Sequence, residues 1–196
     1  MKKTFLETIR VIDGDVKHLQ YHQKRYESVL HSLGVKKIRS LNEYIKPPEF
    51  GLYRCRIVYD AQDIWVDFFE YQKREVKSLK IIFDDKIRYT QKSASREHLD
   101  NLFAQRSLCD DVLIVQDSFI TDTTIANVAF LKDGMWYSPK KPLLCGTTRQ
   151  RMLDDGIITL KDIRVDELSE YSGLALMNAM IDFDIIVLEN IKDTIC

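Results

Sequence analysis

Histidine and cysteine are the residue types in this chain that could bind a metal ion or act as nucleophiles. His18 and His22 are four residues apart and could face the same way on a helix, but a zinc site needs a third ligand that this pair lacks. The cysteines have no C-x-x-C spacing and no histidine beside them, so they predict reduced thiols without a catalytic role in a cytoplasmic protein. They are Cys55, Cys109, Cys145 and Cys196.

Other common site motifs are absent, and the composition excludes several classes of protein. There is no G-x-G-x-x-G, no Walker loop and no G-x-S-x-G, so neither a nucleotide site of those kinds nor a serine-hydrolase elbow is expected. The 29 basic and 30 acidic residues give a net charge of −1, which favours neither nucleic acid nor an anionic membrane as a partner. No apolar run approaches the length of a transmembrane helix.

The predicted elements indicate an α+β protein with a boundary near residue 85. Asp13–Gly14 and Asp133–Gly134 each separate strand-like runs, which is a hairpin signal. Apolar residues at helical spacing predict helices over 20–33, 96–107 and 147–153, with further short ones at 41–45 and 165–171. Alternating or apolar runs predict the main strands at 4–12, 16–19, 52–59, 64–71, 79–83, 112–115, 127–131, 135–138, 175–180 and 185–188. We therefore expect domains at 1–84 and 92–196, with the polar stretch 85–91 as linker.

Four separated segments carry a more specific signal through their order and spacing. They are Phe5–Gly14 with His22–Arg25, Lys92–Arg96, Ile120–Phe130 with Asp133–Gly134, and Leu144–Arg149. Together they resemble the class IV aminotransferase family of pyridoxal-phosphate enzymes (fold type IV), which includes branched-chain and D-amino-acid aminotransferases and aminodeoxychorismate lyase. The resemblance implies the two-domain D-amino-acid aminotransferase-like fold with the cofactor between domains, here truncated at the N-terminus.

The resemblance implies a role for each cofactor residue. Lys92 stands where the family has its Schiff-base lysine, 19 residues before Asp111, and Lys86 fits that spacing less well. Asp122, five residues before Asn127, takes the place of the family's glutamate beside the pyridine nitrogen, although it could instead be a turn residue. Arg25, Thr147 and Thr148, with backbone N–H groups at a helix start, would hold the phosphate. Arg25 could otherwise be an exposed helix residue.

Within the family, the residues resemble the lyase most. Ala126 precedes the asparagine, Arg96 follows Lys92 by four residues, and the stretch 175–180 is similar to a C-terminal strand of the lyase. The lyase substrate carries two carboxylates, for which Arg96 and the alternating pair Arg54 and Arg56 are candidate partners. The alternative for Arg54 and Arg56 is an exposed sheet face without a ligand, since alternate strand residues share one face whatever their role.

The function implied by this resemblance is a lyase of folate biosynthesis. It would convert 4-amino-4-deoxychorismate to 4-aminobenzoate and pyruvate, as a cytoplasmic homodimer acting on a small molecule. Two alternatives remain open at this point. One is an aminotransferase acting on branched-chain or D-amino acids, and the other is a non-catalytic family member that serves as a binding protein.

Overall fold

The computed structural model describes residues 3–188, 191, 194 and 195. The chain forms two compact units, one of Met1–Lys73 with Gln91–Ser95 and the other of Arg74–Thr90 with Arg96–Cys196. The predicted domains with a linker at 85–91 stay a prediction, because a compact unit is not by itself an independently folding domain.

The first unit is a twisted antiparallel sheet with one helix against it. Its elements are β1 (Phe5–Ile12), β2 (Asp15–Val16), α1 (Leu19–Ser32), a 3₁₀ turn (Leu41–Glu43), β3 (Leu52–Tyr59) and β4 (Ile64–Glu70). The strand order is β2-β1-β3-β4. Alternate residues of β1 and β3 are buried with one face of α1, and this apolar cluster is the core of the unit. Asp13 and Gly14 have positive φ, as a tight hairpin turn requires.

The described part of the second unit contains two sheets, two α-helices and a 3₁₀ helix. Its elements are β5 (Leu79–Phe83), α2 (Glu97–Ala104), β6 (Asp111–Gln116), β7 (Phe119–Ile120), β8 (Asn127–Lys132), β9 (Met135–Pro139), α3 (Thr147–Asp154), β10 (Ile158–Lys161), a 3₁₀ helix (Val165–Glu170), β11 (Gly173–Asn178) and β12 (Asp182–Leu188). The larger sheet has the order β10-β9-β8-β11-β12, and the smaller has the order β5-β6-β7. Its largest apolar cluster joins residues of both sheets.

The predicted α+β class and both hairpins are confirmed. The helix predicted at 41–45 is a 3₁₀ turn, and the one at 165–171 is a 3₁₀ helix. The short strands β7 and β10 were not predicted, because two to four residues show too little alternation to stand out. The expectation that all cysteines are reduced is wrong for Cys109, which is disulfide-bonded, whereas Cys55 and Cys145 are free. Cys196 lies outside the described residues.

The lengths and polarity of the helices also decide whether one of them could span a membrane. Within the described ranges, every helix is too short or too polar to cross a membrane.

Candidate active site

The predicted cofactor lysine lies on a short segment that runs beside β1. The backbone N–H of Leu6 donates to the carbonyl of Lys92 at 2.8 Å, and the N–H of Ala94 donates to Thr4 at 3.0 Å. Ser93 forms an antiparallel bridge with Phe5. The segment therefore extends the edge of the β1 region, and the side chain of Lys92 is partly buried there.

A buried network of one carboxylate and two nitrogen side chains lies in the same unit. Arg25 donates from Nε to Glu7 Oε1 at 2.8 Å and from Nη2 to Oε2 at 2.6 Å, which is a bidentate ion pair. His22 Nδ1 lies 2.7 Å from Glu7 Oε2. Glu7 and His22 are 0% and 1% exposed, so this network belongs to the core of the unit.

The pKa values of this network follow from burial and pairing. Burial alone would raise the pKa of Glu7, but Arg25 and His22 outweigh it and hold the pKa at about 2. Burial lowers the pKa of His22, Glu7 opposes that shift, and the charges of Arg25 and Lys92 add to it. Glu7 is therefore ionised and His22 neutral at neutral pH.

Glu7 and His22 were part of the sequence motifs, but no role was predicted for either. The sequence nevertheless contained a signal for both residues. Glu7 is in phase with the inward residues Phe5 and Ile9 of β1, and His22 and Arg25 are three residues apart on one face of α1. A charged residue on the inward face of a strand needs a partner, and the helix supplies two. His18 lies outside the helix with positive φ, so the two histidines do not form the helical pair that was considered.

Arg54 and Arg56 lie on the face of β3 that points away from the core. Their neighbours Cys55 and Ile57 are fully buried, and the alternation along the strand puts both arginines on the other face. Arg54 lies over the ring of Phe69, with its guanidinium carbon 5.2 Å from the ring centroid. The predicted sharing of one face by these arginines is confirmed by their positions.

In the second unit, Asp122 and Asn127 close a tight loop and hold each other. Asn127 Nδ2 donates to Asp122 Oδ1 at 2.7 Å and to the carbonyl of Leu144 at 2.8 Å. The N–H of Leu144 donates to Asp122 Oδ2 at 2.9 Å. Burial raises the pKa of Asp122 to about 6, although these hydrogen bonds and the charge of Arg149 lower it in part. Asp122 is thus a buried carboxyl group held by neutral donors.

The start of α3 packs closely against this loop. A Cβ atom on Gly146, the N-cap residue, would lie 2.0 Å from Asn127 Oδ1, so only glycine fits there. Thr147 and Thr148 follow and are buried. Arg149 is also buried and donates from Nη2 to the carbonyl of Pro139 at 2.7 Å and from Nε to Ser138 at 3.2 Å. No role was predicted for Arg149, whose buried guanidinium links α3 to β9.

Arg96 lies at the N-terminus of α2 and contacts the loop before Asn127. Its Nη2 donates to the carbonyl of Thr124 at 2.8 Å, and its Nε lies 3.6 Å from Asp100. Thr124 in turn donates from Oγ1 to the buried Asp111 at 2.7 Å. These contacts make Arg96 part of the framework around the Asp122 loop. Its role toward substrate stays a prediction.

Among the described residues, no group of three or more His, Cys, Asp or Glu side chains could hold a metal ion.

Comparisons with known proteins place this chain in a family. Residues 91–185 match the model of amino-transferase class IV. An uncharacterized protein from Haemophilus influenzae is 32% identical over 180 residues, which cover 89% of this chain and 96% of that protein. A crystal structure from Haemophilus somnus, described as a "putative 4-amino-4-deoxychorismate lyase", is similar with a TM-score of 0.85 and 34% identity, over 92% of this chain and 97% of that one.

The fold extends to a more distant enzyme structure that holds the cofactor. A hypothetical aminotransferase from Mycobacterium tuberculosis in its PLP-bound form matches with a TM-score of 0.78 at 17% identity, over 93% of this chain and 80% of that one. At that identity the likeness concerns the fold alone, which is fold type IV as expected. With the family model and the two nearer relatives, the sequence motifs and their arrangement show that this chain belongs to the pyridoxal-phosphate-dependent class IV aminotransferase family.

Proposed function

We propose that this chain is a pyridoxal-phosphate-dependent lyase that converts 4-amino-4-deoxychorismate to 4-aminobenzoate and pyruvate, a step of folate biosynthesis. The observation that carries the cofactor part of the proposal is the Asp122 carboxyl group held by Asn127 and Leu144. The preference for a lyase is supported by the 34% identical Haemophilus somnus protein and its description.

Asp122 has the chemistry that a protonated pyridine nitrogen needs. Both oxygens accept hydrogen bonds from neutral groups, and no described lysine, arginine or histidine lies within 4 Å of them. A cation beside this carboxylate would offset the burial that raises its pKa to about 6. The fixed geometry of the loop means that the carboxylate needs no reorganisation to receive such a cation.

The proposed phosphate ligands are Arg25, Thr147 and Thr148. The two threonines lie at the start of α3, where backbone N–H groups and the helix dipole favour an anion. Gly146 lets the backbone there approach the Asp122 loop without a clash. Arg25 donates from Nε and Nη2 to Glu7, and in our proposal the same planar guanidinium also supports the phosphate.

When bound, pyridoxal phosphate withdraws electrons from the substrate carbon that carries the amine. In our proposal the Nζ of Lys92 would hold the cofactor covalently and would also be the base that takes the proton from the substrate ring carbon bearing the amine. Asp122 keeps the pyridine nitrogen protonated, and Asn127 keeps Asp122 in place. Arg54, Arg56 and Arg96 are the proposed partners of the two substrate carboxylates. Loss of pyruvate makes the ring aromatic, so no second keto acid is needed.

The first test is the visible absorbance of the full chain after incubation with pyridoxal phosphate. The wild type and Lys86→Ala should show the band of a lysine-bound cofactor, and Lys92→Ala should not. Lys86 is the matched control because it is exposed and lies six residues away. A band that disappears in Lys86→Ala instead would overturn the lysine assignment, and no band in the wild type would reduce the family likeness to one of fold.

The second test separates the lyase from the aminotransferase. The lyase should release pyruvate from 4-amino-4-deoxychorismate without any added keto acid. Amino transfer that depends on a keto acid, with no pyruvate released, would favour a class IV aminotransferase. A protein that binds the cofactor and catalyses neither reaction would be a non-catalytic family member.

The assembly and location of the chain are also proposals. Relatives of this family usually form dimers whose interface completes the site, and we propose a homodimer in the cytoplasm. Light scattering of the purified chain should give twice the 23.0 kDa monomer mass. A monomer mass at working concentration would contradict the dimer.

A further inference from the structure

A third arginine joins Arg54 and Arg56 on the outer face of the first unit's sheet. Arg10 on β1 lies directly opposite Arg54 on β3, and Arg56 lies opposite Thr8 on the same face. Arg10 alternates with the buried Ile9 and Val11, so its side chain is on the outer face as well. We call Arg10, Arg54 and Arg56 the guanidinium face.

The charges around the guanidinium face leave it positive. On one side, the N–H of Lys17 donates to the carbonyl of Arg10 at 2.9 Å, and the Lys17 side chain pairs with Asp15. On the other side, Asp67 of β4 lies opposite Arg56 and Phe69 lies opposite Arg54. Four cations therefore meet two carboxylates on this face of the sheet, an excess of two positive charges that matches a dianion.

Arg10 is the member of the face whose environment is least explained by folding alone. Its Nε–H is buried, and no described acceptor lies within hydrogen-bond distance. No described carboxylate forms an ion pair with any of the three guanidinium groups. Like charges directly opposite in a sheet are destabilising, and an unsatisfied buried donor adds to that cost. An anion bound between Arg10 and Arg54 would relieve both.

We propose that the guanidinium face binds the two carboxylates of a small dicarboxylic acid, with Arg10 and Arg54 together holding one of them. This inference rests on the proposed function, because it names the residues that would recognise its dianionic substrate, and it adds Arg10 to them. Planar guanidinium groups suit carboxylates because two parallel N–H donors match the two oxygens. The exposed rings of Trp65 and Phe69 on β4 lie on the same face and could contact the ring of the acid.

The test uses an unreactive probe and needs no catalysis. The full chain is titrated calorimetrically with 3-(carboxymethoxy)benzoate, a stable aromatic dicarboxylate that lacks an amine, and with benzoate as a single-charge control. The wild type should bind the dicarboxylate at least about tenfold more tightly than benzoate, because charge-assisted hydrogen bonds carry that much. Arg10→Gln and Arg54→Gln should each remove most of this preference, and added salt should weaken it.

Arg39→Gln is the matched control, since Arg39 is an exposed arginine of the same unit away from the face. It should retain the full preference for the dicarboxylate. Arg10→Gln should keep or raise the melting temperature because it removes a like-charge contact, so lost binding cannot be ascribed to unfolding. Equal preference in Arg10→Gln and wild type, or no preference in the wild type, would overturn the inference.

The outcomes distinguish a failure of the guanidinium face from a failure of the proposed function. Dicarboxylate binding that depends on Arg10, in a chain that shows no cofactor band, would retain the guanidinium face and reject the enzyme. A cofactor band and pyruvate release that persist unchanged in Arg10→Gln, with no change in the Michaelis constant, would retain the enzyme and reject the face.

Discussion

Glu7 of the first unit and Asp122 of the second are both buried carboxyl groups, yet their pKa values move in opposite directions. Glu7 is 0% exposed and Asp122 is 4% exposed, so burial penalises the charge of both. The pKa of Glu7 is nevertheless held at about 2, whereas that of Asp122 is raised to about 6. Burial therefore cannot be what distinguishes the two groups.

The difference lies in the partners. Glu7 receives both fork hydrogens of Arg25 and a contact from His22, so its charge is neutralised within its own unit. Asp122 receives one amide and one backbone N–H, which satisfy its oxygens but supply no positive charge. The first carboxylate is a finished structural pair. The second is held in place by neutral donors, and the charge of Arg149 offsets its burial only in part, which is typical of a carboxyl group at a functional site.

The largest expected effect comes from removing the charge of Glu7. Glu7→Gln leaves the guanidinium of Arg25, whose side chain is only 14% exposed, without its counter-charge. We expect a loss of about 3 kcal/mol in the free energy of unfolding at pH 7, measured by urea denaturation. Glu49→Gln, at an exposed site of the same unit, should change it by less than about 0.5 kcal/mol. A loss below about 1 kcal/mol for Glu7→Gln would show that the pair is not the structural element described.

Glu7→Gln should also change how the free energy of unfolding depends on pH in the acid range. The folded pKa of Glu7 is lower than its ordinary value of 4.5, so its contribution is complete above pH 4.5 and is lost as pH falls toward 2. The gap in unfolding free energy between wild type and Glu7→Gln should therefore narrow over that window.

Asp122 should show the opposite dependence on pH. Its folded pKa of about 6 exceeds the ordinary 3.8, so the protonated form is favoured by folding. This contribution is present below about pH 4 and is lost as pH rises through 6, by about 3 kcal/mol in total. Urea denaturation of the cofactor-free protein between pH 4 and 7 should show this decline in the wild type and not in Asp122→Asn. Parallel profiles of the two proteins would contradict the raised pKa.

Gly146 offers a smaller and more local way to disturb the Asp122 group. Gly146→Ala places a Cβ atom 2.0 Å from Asn127 Oδ1, so Asn127 must move away from Asp122. We expect a loss of about 1 to 3 kcal/mol in the free energy of unfolding by urea denaturation. In an Asn127→Ala background the same substitution should cost much less, because the clashing atom is gone. Equal costs in the two backgrounds would show that the clash is not the cause.

The sequence allowed several site residues to be predicted, but not the contacts that distinguish Glu7 from Asp122. Lys92, Asp122 and Asn127 were predicted as site residues from their spacing in a family pattern, and the strands around them were predicted from alternation. The pairing of Glu7 with Arg25 was not predicted, because two segments 18 residues apart must first pack before their side chains meet. The close approach of Gly146 to Asn127 has the same origin. Periodicity predicts which way a side chain faces, but not which side chain of another segment it will contact.

The smallest predicted effect concerns the pKa of His22, which burial lowers and Glu7 raises. Burial lowers the pKa of His22 and Glu7 partly restores it, so in Glu7→Gln the pKa should fall further. Proton NMR titration should follow this, with the His22 signal identified by its loss in His22→Gln and the signal of His98, in the other unit, as internal reference. Because the unfolded histidine takes up its proton near pH 6.5, the lowered folded value costs stability as pH falls below 6.5. A His22 signal that titrates higher in Glu7→Gln than in the wild type would mean that Glu7 does not support the histidine's charge. The network would then be an Arg25–Glu7 pair that His22 contacts without electrostatic coupling, and the contrast with Asp122 would rest on the guanidinium alone.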